Sequence, residues 1–303
     1  MFKKHSFPFF YQKLRTVILL LKCETIPLTI STAKNANMLQ SRDLWSLFTL
    51  IRTLLFAAFI FSALVLFFSK PSLAAEYDLY SYHNVPPFIT SPTTGLSYDL
   101  VEYLNNKGEG RYRFKLNIVP RKRLDNILKE NDAIIVPWVS PDWFGKDARS
   151  RYDWTAPIIS DGNVYMSLSE RAIEIANLND LQGMVLGGVL GHRYSGLDDE
   201  VAKGAFTRIN ATNEQNLIRM IAGGRADIGV MAESAARYLV WEEGLVDKIY
   251  LASNKHSVFA RRLLLSGTPS DLHLFLDGVI TGMRSDPKWS TTIARYRFPI
   301  EIN

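Results

Sequence analysis

Cysteine is almost missing from this chain: Cys23 is the only one in 303 residues, and nothing after residue 75 carries a thiol. That absence excludes a disulfide or a thiolate metal site from the larger, C-terminal part. Histidine is sparse there too. His83, His192, His256 and His273 are scattered, with no HxxxH spacing. Neither a GxSxG nucleophile turn nor a GxxxxGK[ST] phosphate loop occurs, so a catalytic triad and a nucleotide site have no motif to rest on. Internal repeats of 20 to 50 residues and low-complexity tracts are likewise missing. No catalytic centre, metal or cofactor is expected.

An excess of positive charge is also missing once the chain is divided. Of its 35 Lys and Arg, nine precede residue 76, with only two of its 30 Asp and Glu, leaving 26 basic and 28 acidic residues beyond. The alkaline balance belongs to the N-terminus, and nucleic acid is not an expected partner. From Thr53 to Phe68 run sixteen residues without a charge, after Arg42 and Arg52 and before SKPSLAA. Basic, apolar and small-residue segments in that order are the layout of a secretory signal, spanning about 42–75. Cleavage is expected after Ala74 or Ala75, and with no cysteine there a lipid anchor is excluded. An uncleaved anchor helix is the alternative, but sixteen residues fall short of the roughly 20 that span a bilayer. Residues 1–37 precede a second methionine, Met38, and read as an over-extended start or a basic tail.

Past the leader the hydrophobic periods alternate. Residues 77–82 read as a strand, Ser97 as the cap of a helix ending near Gly108, and Tyr112–Ile118 as a half-buried strand. A short helix places Leu124, Ile127 and Leu128 inward, and DAIIVPW from Asp132 to Trp138 has strand length. Strands and helices in alternation predict a parallel sheet with covering helices. The pattern restarts at Met184–Leu190, with a helix near Asp198–Lys203, a strand at Phe206–Asn210, a helix capped by Thr212 and Gln215, a strand at Ala226–Met231 and a helix at Ser234–Trp241. Leu272, Phe275, Leu276, Val279, Ile280 and Met283 form a full apolar stripe, and Asp286-Pro287 opens a last helix. Two such units predict two lobes.

The order of several short motifs carries a resemblance. They are PPFI (Pro86–Ile89), GLSYDL (Gly95–Leu100), DAIIVPW, RSRYDWTAPI (Arg149–Ile158), DLQGMVLGGVLGHRY (Asp180–Tyr194) and GGRADIGVM (Gly223–Met231). Over residues 77–300 the chain resembles type II periplasmic solute-binding proteins of family 3, the polar amino-acid class. The resemblance implies an α/β, two-lobed fold with a parallel-rich sheet in each lobe and a two-strand hinge. Lobe 1 would be 76–166 plus 256–303, lobe 2 167–255, and ligand would lie between them as they close.

Ligand contacts follow from the same resemblance. Arg149, with Arg151 as a rival, would grip a carboxylate through the paired donors of a guanidinium, and Ser140 would offer a hydroxyl. The GHRY loop puts His192 and Arg193 where the family has a small hydroxyl residue after its Gly, so an extra cation there suits a more acidic ligand, with Arg193 and Tyr194 as the expected contacts. The family's acid would fall at Ala232, leaving Glu233 either as the displaced ligand contact or as a first-turn acid that favours the helix dipole. Tyr82, Phe88, Trp138 and Trp143 are the aromatics expected to face a flat or apolar ligand part, Phe88 and Trp138 foremost because the family places ligand-facing side chains at those motif positions. The reading that results is a monomeric periplasmic protein binding an amino-acid-like solute or small acid for an ABC-type importer. A sensing module acting through a membrane receptor, or a dehydratase-like enzyme on the same fold with Glu233 as its acid, are the alternatives.

Overall fold

This computed structural model describes residues 40–68, 74–129 and 133–297, with side chains from 45 to 60 and from 74 onward in those ranges. Residues 1–37, Ser72 at the expected cleavage site and Asp132 at the head of DAIIVPW lie outside the described residues. The chain divides into one unit ending at Lys70 and another beginning at Pro71.

In the first unit a 29-residue helix, α1 (Gln40–Phe68), carries the uncharged run. Trp45, Phe48, Leu54 and Phe59 are exposed along it. Among the described residues no helix is long and apolar enough to cross a membrane.

The second unit opens with β1 (Ala75–Ser81), α2 (Leu96–Gly108), β2 (Tyr112–Ile118), α3 (Arg121–Ile127), β3 (Ile134–Val139), α4 (Ala148–Arg151) and β4 (Asp153–Trp154). It continues through β5 (Ile159–Leu168), β6 (Val185–Val189), α5 (Leu197–Ala202), β7 (Thr207–Ala211), α6 (Glu214–Ala222), β8 (Ile228–Ala232) and α7 (Glu233–Glu242). The long β9 (Ile249–Ser266), α8 (Ser270–Met283) and α9 (Pro287–Arg295) complete it. The strands lie in the order β2-β1-β3-β9-β5-β8-β6-β7, with β4 also on β9.

Parallel pairs flank both ends of this curled sheet: β1 with β2 and β3, and β6 with β7 and β8. Between them β9 runs antiparallel to its neighbours. It pairs with β5 from Ile249 to Arg261 and with β3 from Arg262 to Ser266. A single strand is therefore shared by both halves, and β5 beside it is the second connection. Strand alternation sorts the core: Ile135, Leu263 and Leu265 face α2 and α8, while Ile134, Val136 and Leu264 face the cluster of Leu124 and Phe144. In the other half, Leu217, Ile218 and Ile221 of α6 cover one face, and Leu186, Ile228 and Val230 join Leu197 and Phe206 on the opposite one.

Two expected helix caps fall elsewhere. Helix α2 begins at Leu96 without a side-chain cap, and the Ser97 hydroxyl, buried, accepts from the Trp138 indole N–H at 3.0 Å instead. A fully buried indole donor costs more unpaired than a helix-end amide that can meet water, so the hydroxyl goes to the indole. At α6 the cap is Asn213, which accepts from Asn216 N at 2.8 Å; Thr212 accepts from the Asn216 side chain, and Gln215 turns to Glu243. Asp286 caps α9 as its sequence predicts, accepting from Lys288 N at 2.9 Å.

Candidate functional site at the junction of the halves

The two connecting strands each bury a charge where the halves meet. Asp161 of β5 is 2% exposed and Arg261 of β9 is 3% exposed. Their registers (Asp161 opposite Phe259, Ile159 opposite Arg261) put both side chains on one face of the ladder. Arg261 Nε donates to Asp161 Oδ2 at 2.6 Å, and its Nη1 donates to the Trp138 carbonyl at 2.9 Å. Asp161 also accepts from Gly162 N (2.9 Å), Ser234 N (3.2 Å) and Ser234 Oγ (2.7 Å). Ser234 lies in the first turn of α7, in the half built on β8. A polar chain therefore runs from Ser234 through Asp161 and Arg261 to Trp138 in the opposite half. Pairing of this quality is what allows two charges to be buried at all.

Aromatic rings complete the surroundings of the guanidinium. Its carbon lies 4.7 Å from the Phe88 ring, 5.3 Å from Trp143 and 5.2 Å from Phe259. Distances below about 6 Å place a cation within reach of the ring quadrupole, worth up to ~2 kcal/mol per ring when desolvated. Phe88 and Trp138 pack on each other at 5.3 Å, and Trp143 meets Phe259 edge-on at 4.9 Å.

Local backbone geometry explains why two separated motifs cooperate here. Leu96 N and Ser97 N donate to the carbonyls of Pro87 and Phe88 at 2.9 and 3.0 Å, tying PPFI to the start of α2. Gly95 sits at φ +132, and a Cβ there would lie 2.4 Å from the Phe88 carbonyl oxygen. Only glycine allows that approach. Trp138 adopts φ +69, in the left-handed region, next to the β3 irregularity between Val136 and Val139. For a bulky aromatic this costs on the order of 1–3 kcal/mol, and it persists because indole and carbonyl are both fixed by hydrogen bonds.

His83, half-buried, lies 4.3 Å from the Tyr82 ring, 5.2 Å from Phe88 and 6.0 Å from Trp143. Burial, then the nearby Arg261 and Arg121 cations, hold its imidazole well below the ordinary histidine range, and His192 from the other half acts in the same direction. Among the described residues its Nε2 is buried without a hydrogen-bond partner. The loop that carries His192 is fixed by Arg208, which donates to the carbonyls of Val189 (3.1 Å) and His192 (3.0 Å) and pairs with Asp198.

The residues singled out from sequence are placed unequally. Phe88 and Trp138 stand at the centre, fully buried, and Tyr82 reaches the cluster through His83. Tyr194 is buried beneath its loop, where its hydroxyl accepts from Val189 N at 3.2 Å, while Arg193 is exposed. Glu233 is buried beside Ser234, with its carboxylate between Arg237 (2.7 Å) and Lys255 (2.8 Å). Ser140, buried, donates at 3.4 Å to Asp142. Arg149 is 68% exposed on the four-residue α4 and pairs with Asp142 at 3.1 Å; Arg151 pairs with Asp147 and donates to the Phe144 carbonyl. Among the described residues neither arginine bonds to the central pair; both sit on the short helix that follows the Trp143 turn. An open surface cavity of about 400 Å³ lies there, walled by Arg121, Trp143, Phe144, Arg151 and Tyr152.

Asp161, Arg261, Ser234 and Phe259 were not singled out from sequence. One signal was available: Arg261 shares the parity of Leu263 and Leu265, the inward positions of β9, so a charge there asks for a buried partner.

No family model matches the sequence, and no curated protein matches it. Solved structures do resemble the fold. An ancestral arginine-binding protein bound to arginine aligns at TM-score 0.54 and 16% identity, over 74% of this chain and 99% of that one. A histidine kinase sensor domain with similarity to periplasmic binding proteins aligns at 0.56 and 13%, over 74% and 96%. The GluR0 ligand-binding core from Nostoc punctiforme in complex with L-glutamate aligns at 0.55 and 16%, over 73% and 99%. The second unit therefore has the two-lobed α/β fold of type II periplasmic binding proteins.

Proposed function

We propose that the protein is an extracytoplasmic receptor, exported by its N-terminal signal, that closes two lobes over an amino-acid-like or small acidic solute. Lobe 1 is assigned to 76–166 plus 256–303 and lobe 2 to 167–255. The observation that carries this reading is the shared strand β9, which with β5 links Trp138 of one half to Ser234 of the other through Arg261 and Asp161. Two of the similar structures are described as holding arginine or L-glutamate, and the third as a sensor domain. Delivery to an ABC-type importer is the role that suits a freely exported receptor.

A sensing role through a membrane partner is the second reading. It is favoured by the packing of the junction with the protein's own side chains, which lets the halves associate without a solute. A thermal-shift screen of amino acids, organic acids and oligosaccharides tests the binding reading, since a solute that binds the folded state raises the midpoint by mass action. A midpoint unmoved by every solute, at concentrations that saturate ordinary receptors, would count against it.

A further inference from the structure

Arg261 stands in surroundings that would suit a cationic ligand. A guanidinium from solution would need a carboxylate to pair with, a carbonyl to accept a second hydrogen bond, and flat faces to cover it once dry. Asp161, the Trp138 carbonyl and the rings of Phe88, Trp143 and Phe259 supply these at 2.6, 2.9, 4.7, 5.3 and 5.2 Å, all directed at one side chain of the protein itself. Two carboxylates of the other half are already matched: Glu233 by Arg237 and Lys255, and Asp198 by Arg208.

We infer that Arg261 is a built-in occupant of a guanidinium site at the lobe junction, and that it determines specificity by excluding cationic solutes from that site. The exclusion is steric and electrostatic together. The cage has no room for a second guanidinium, and a displaced Arg261 would remain as a tethered, desolvated cation beside the newcomer. Solutes of the proposed receptor are then those without net positive charge, so this consequence rests on the binding reading, whereas the cage itself does not.

Replacing Arg261 by alanine should empty the cage and make it a receptor for the missing group. The test measures thermal midpoints of the purified full chain and of its Arg261→Ala variant. Millimolar guanidinium, ethylguanidinium and free arginine are the probes, with ethylammonium as the control. The expected result is a rise of several degrees in R261A with ethylguanidinium, no rise with ethylammonium, and no rise in the unaltered protein with any of them. If R261A does not fold unaided, a gain in refolding yield that depends on ethylguanidinium reads the same rescue. Arg261→Lys, whose ammonium lacks the planar fork, should remain unrescued because its side chain still fills the cage. Absence of rescue in R261A by both readouts, or binding of arginine by the unaltered protein at the same site, would overturn the inference. The two proposals fail separately: rescue of R261A with no solute bound by the unaltered protein removes the receptor reading and leaves the cage, and arginine bound by the unaltered protein does the reverse.

Discussion

Substituting Asp161 by asparagine keeps the shape of the side chain and removes its charge. Four hydrogen bonds end on this carboxylate, from Gly162 N, Ser234 N, Ser234 Oγ and Arg261 Nε, and both members of the ion pair are at most 3% exposed. The amide offers one acceptor oxygen where two are used, and its NH₂ would face a donor. Arg261 would then be buried without a counter-charge. Removing one partner of a buried pair costs about 3–5 kcal/mol. In a domain of this size each kcal/mol lowers the midpoint by about 2–4 °C, so a fall of roughly 6–20 °C is expected. Urea denaturation followed by tryptophan fluorescence gives the same quantity, with an unchanged slope if the folded and unfolded states keep their exposed areas. Adding Arg261→Met to Asp161→Asn should restore at least half of the loss, because the stranded charge is gone while the stem still packs. A loss below about 1 kcal/mol for the single variant would refute the idea that this pair organises the junction.

Other consequences are open to direct measurement. Gly95→Ala should destabilise by about 2 kcal/mol or more, through overlap with the Phe88 carbonyl and a positive φ, and circular-dichroism melts would show it. Lowering the pH should weaken the fold below about 6.5, the ordinary imidazole value. His83 is kept neutral in the folded protein, so the unfolded chain takes up the proton first; its contribution is complete above that pH and lost beneath it. His256, whose pKa burial also lowers, adds to the same window, so His83→Gln should flatten the dependence only in part. In stronger acid a second loss is expected as pH falls toward 2, because Glu174 (held by Ser253 N and Tyr250) and Asp286 (held by Tyr103 and Lys107) have carboxyls lowered to about 2. Arg149→Ala should leave the midpoint of the ligand-free protein within about 4 °C, since an exposed pair is worth at most ~1 kcal/mol. A tenfold loss of solute affinity in that variant would give Arg149 the carboxylate-gripping role that its motif implies.

Much of the fold was legible because its signals are periodic. Apolar positions two apart along Tyr112–Ile118, and three or four apart along Leu272–Met283, need only the geometry of strand and helix to be read. The shared strand was harder to see. β9 passes from one half to the other without a Gly or Pro, and nothing in the run FARRLLL marks where its partner changes from β5 to β3. The site was half legible. Phe88 and Trp138 belong to contiguous motifs, and both reach the centre. Asp161 and Arg261 do not, since their pairing spans 100 residues and depends on two strands lying side by side. Nor do the caps follow sequence alone: Ser97 has the composition of a cap, but a buried indole 41 residues away claims its hydroxyl.

Amide hydrogen exchange, with and without the strongest solute from the screen, addresses the receptor assignment most directly. Slowed exchange should gather in peptides covering 83–89, 138–144, 190–194, 232–235 and 257–261, which belong to both halves and meet only at the junction. Protection limited to one half, or centred on the outer cavity beside Arg151 and Tyr152, would contradict a ligand held between the lobes.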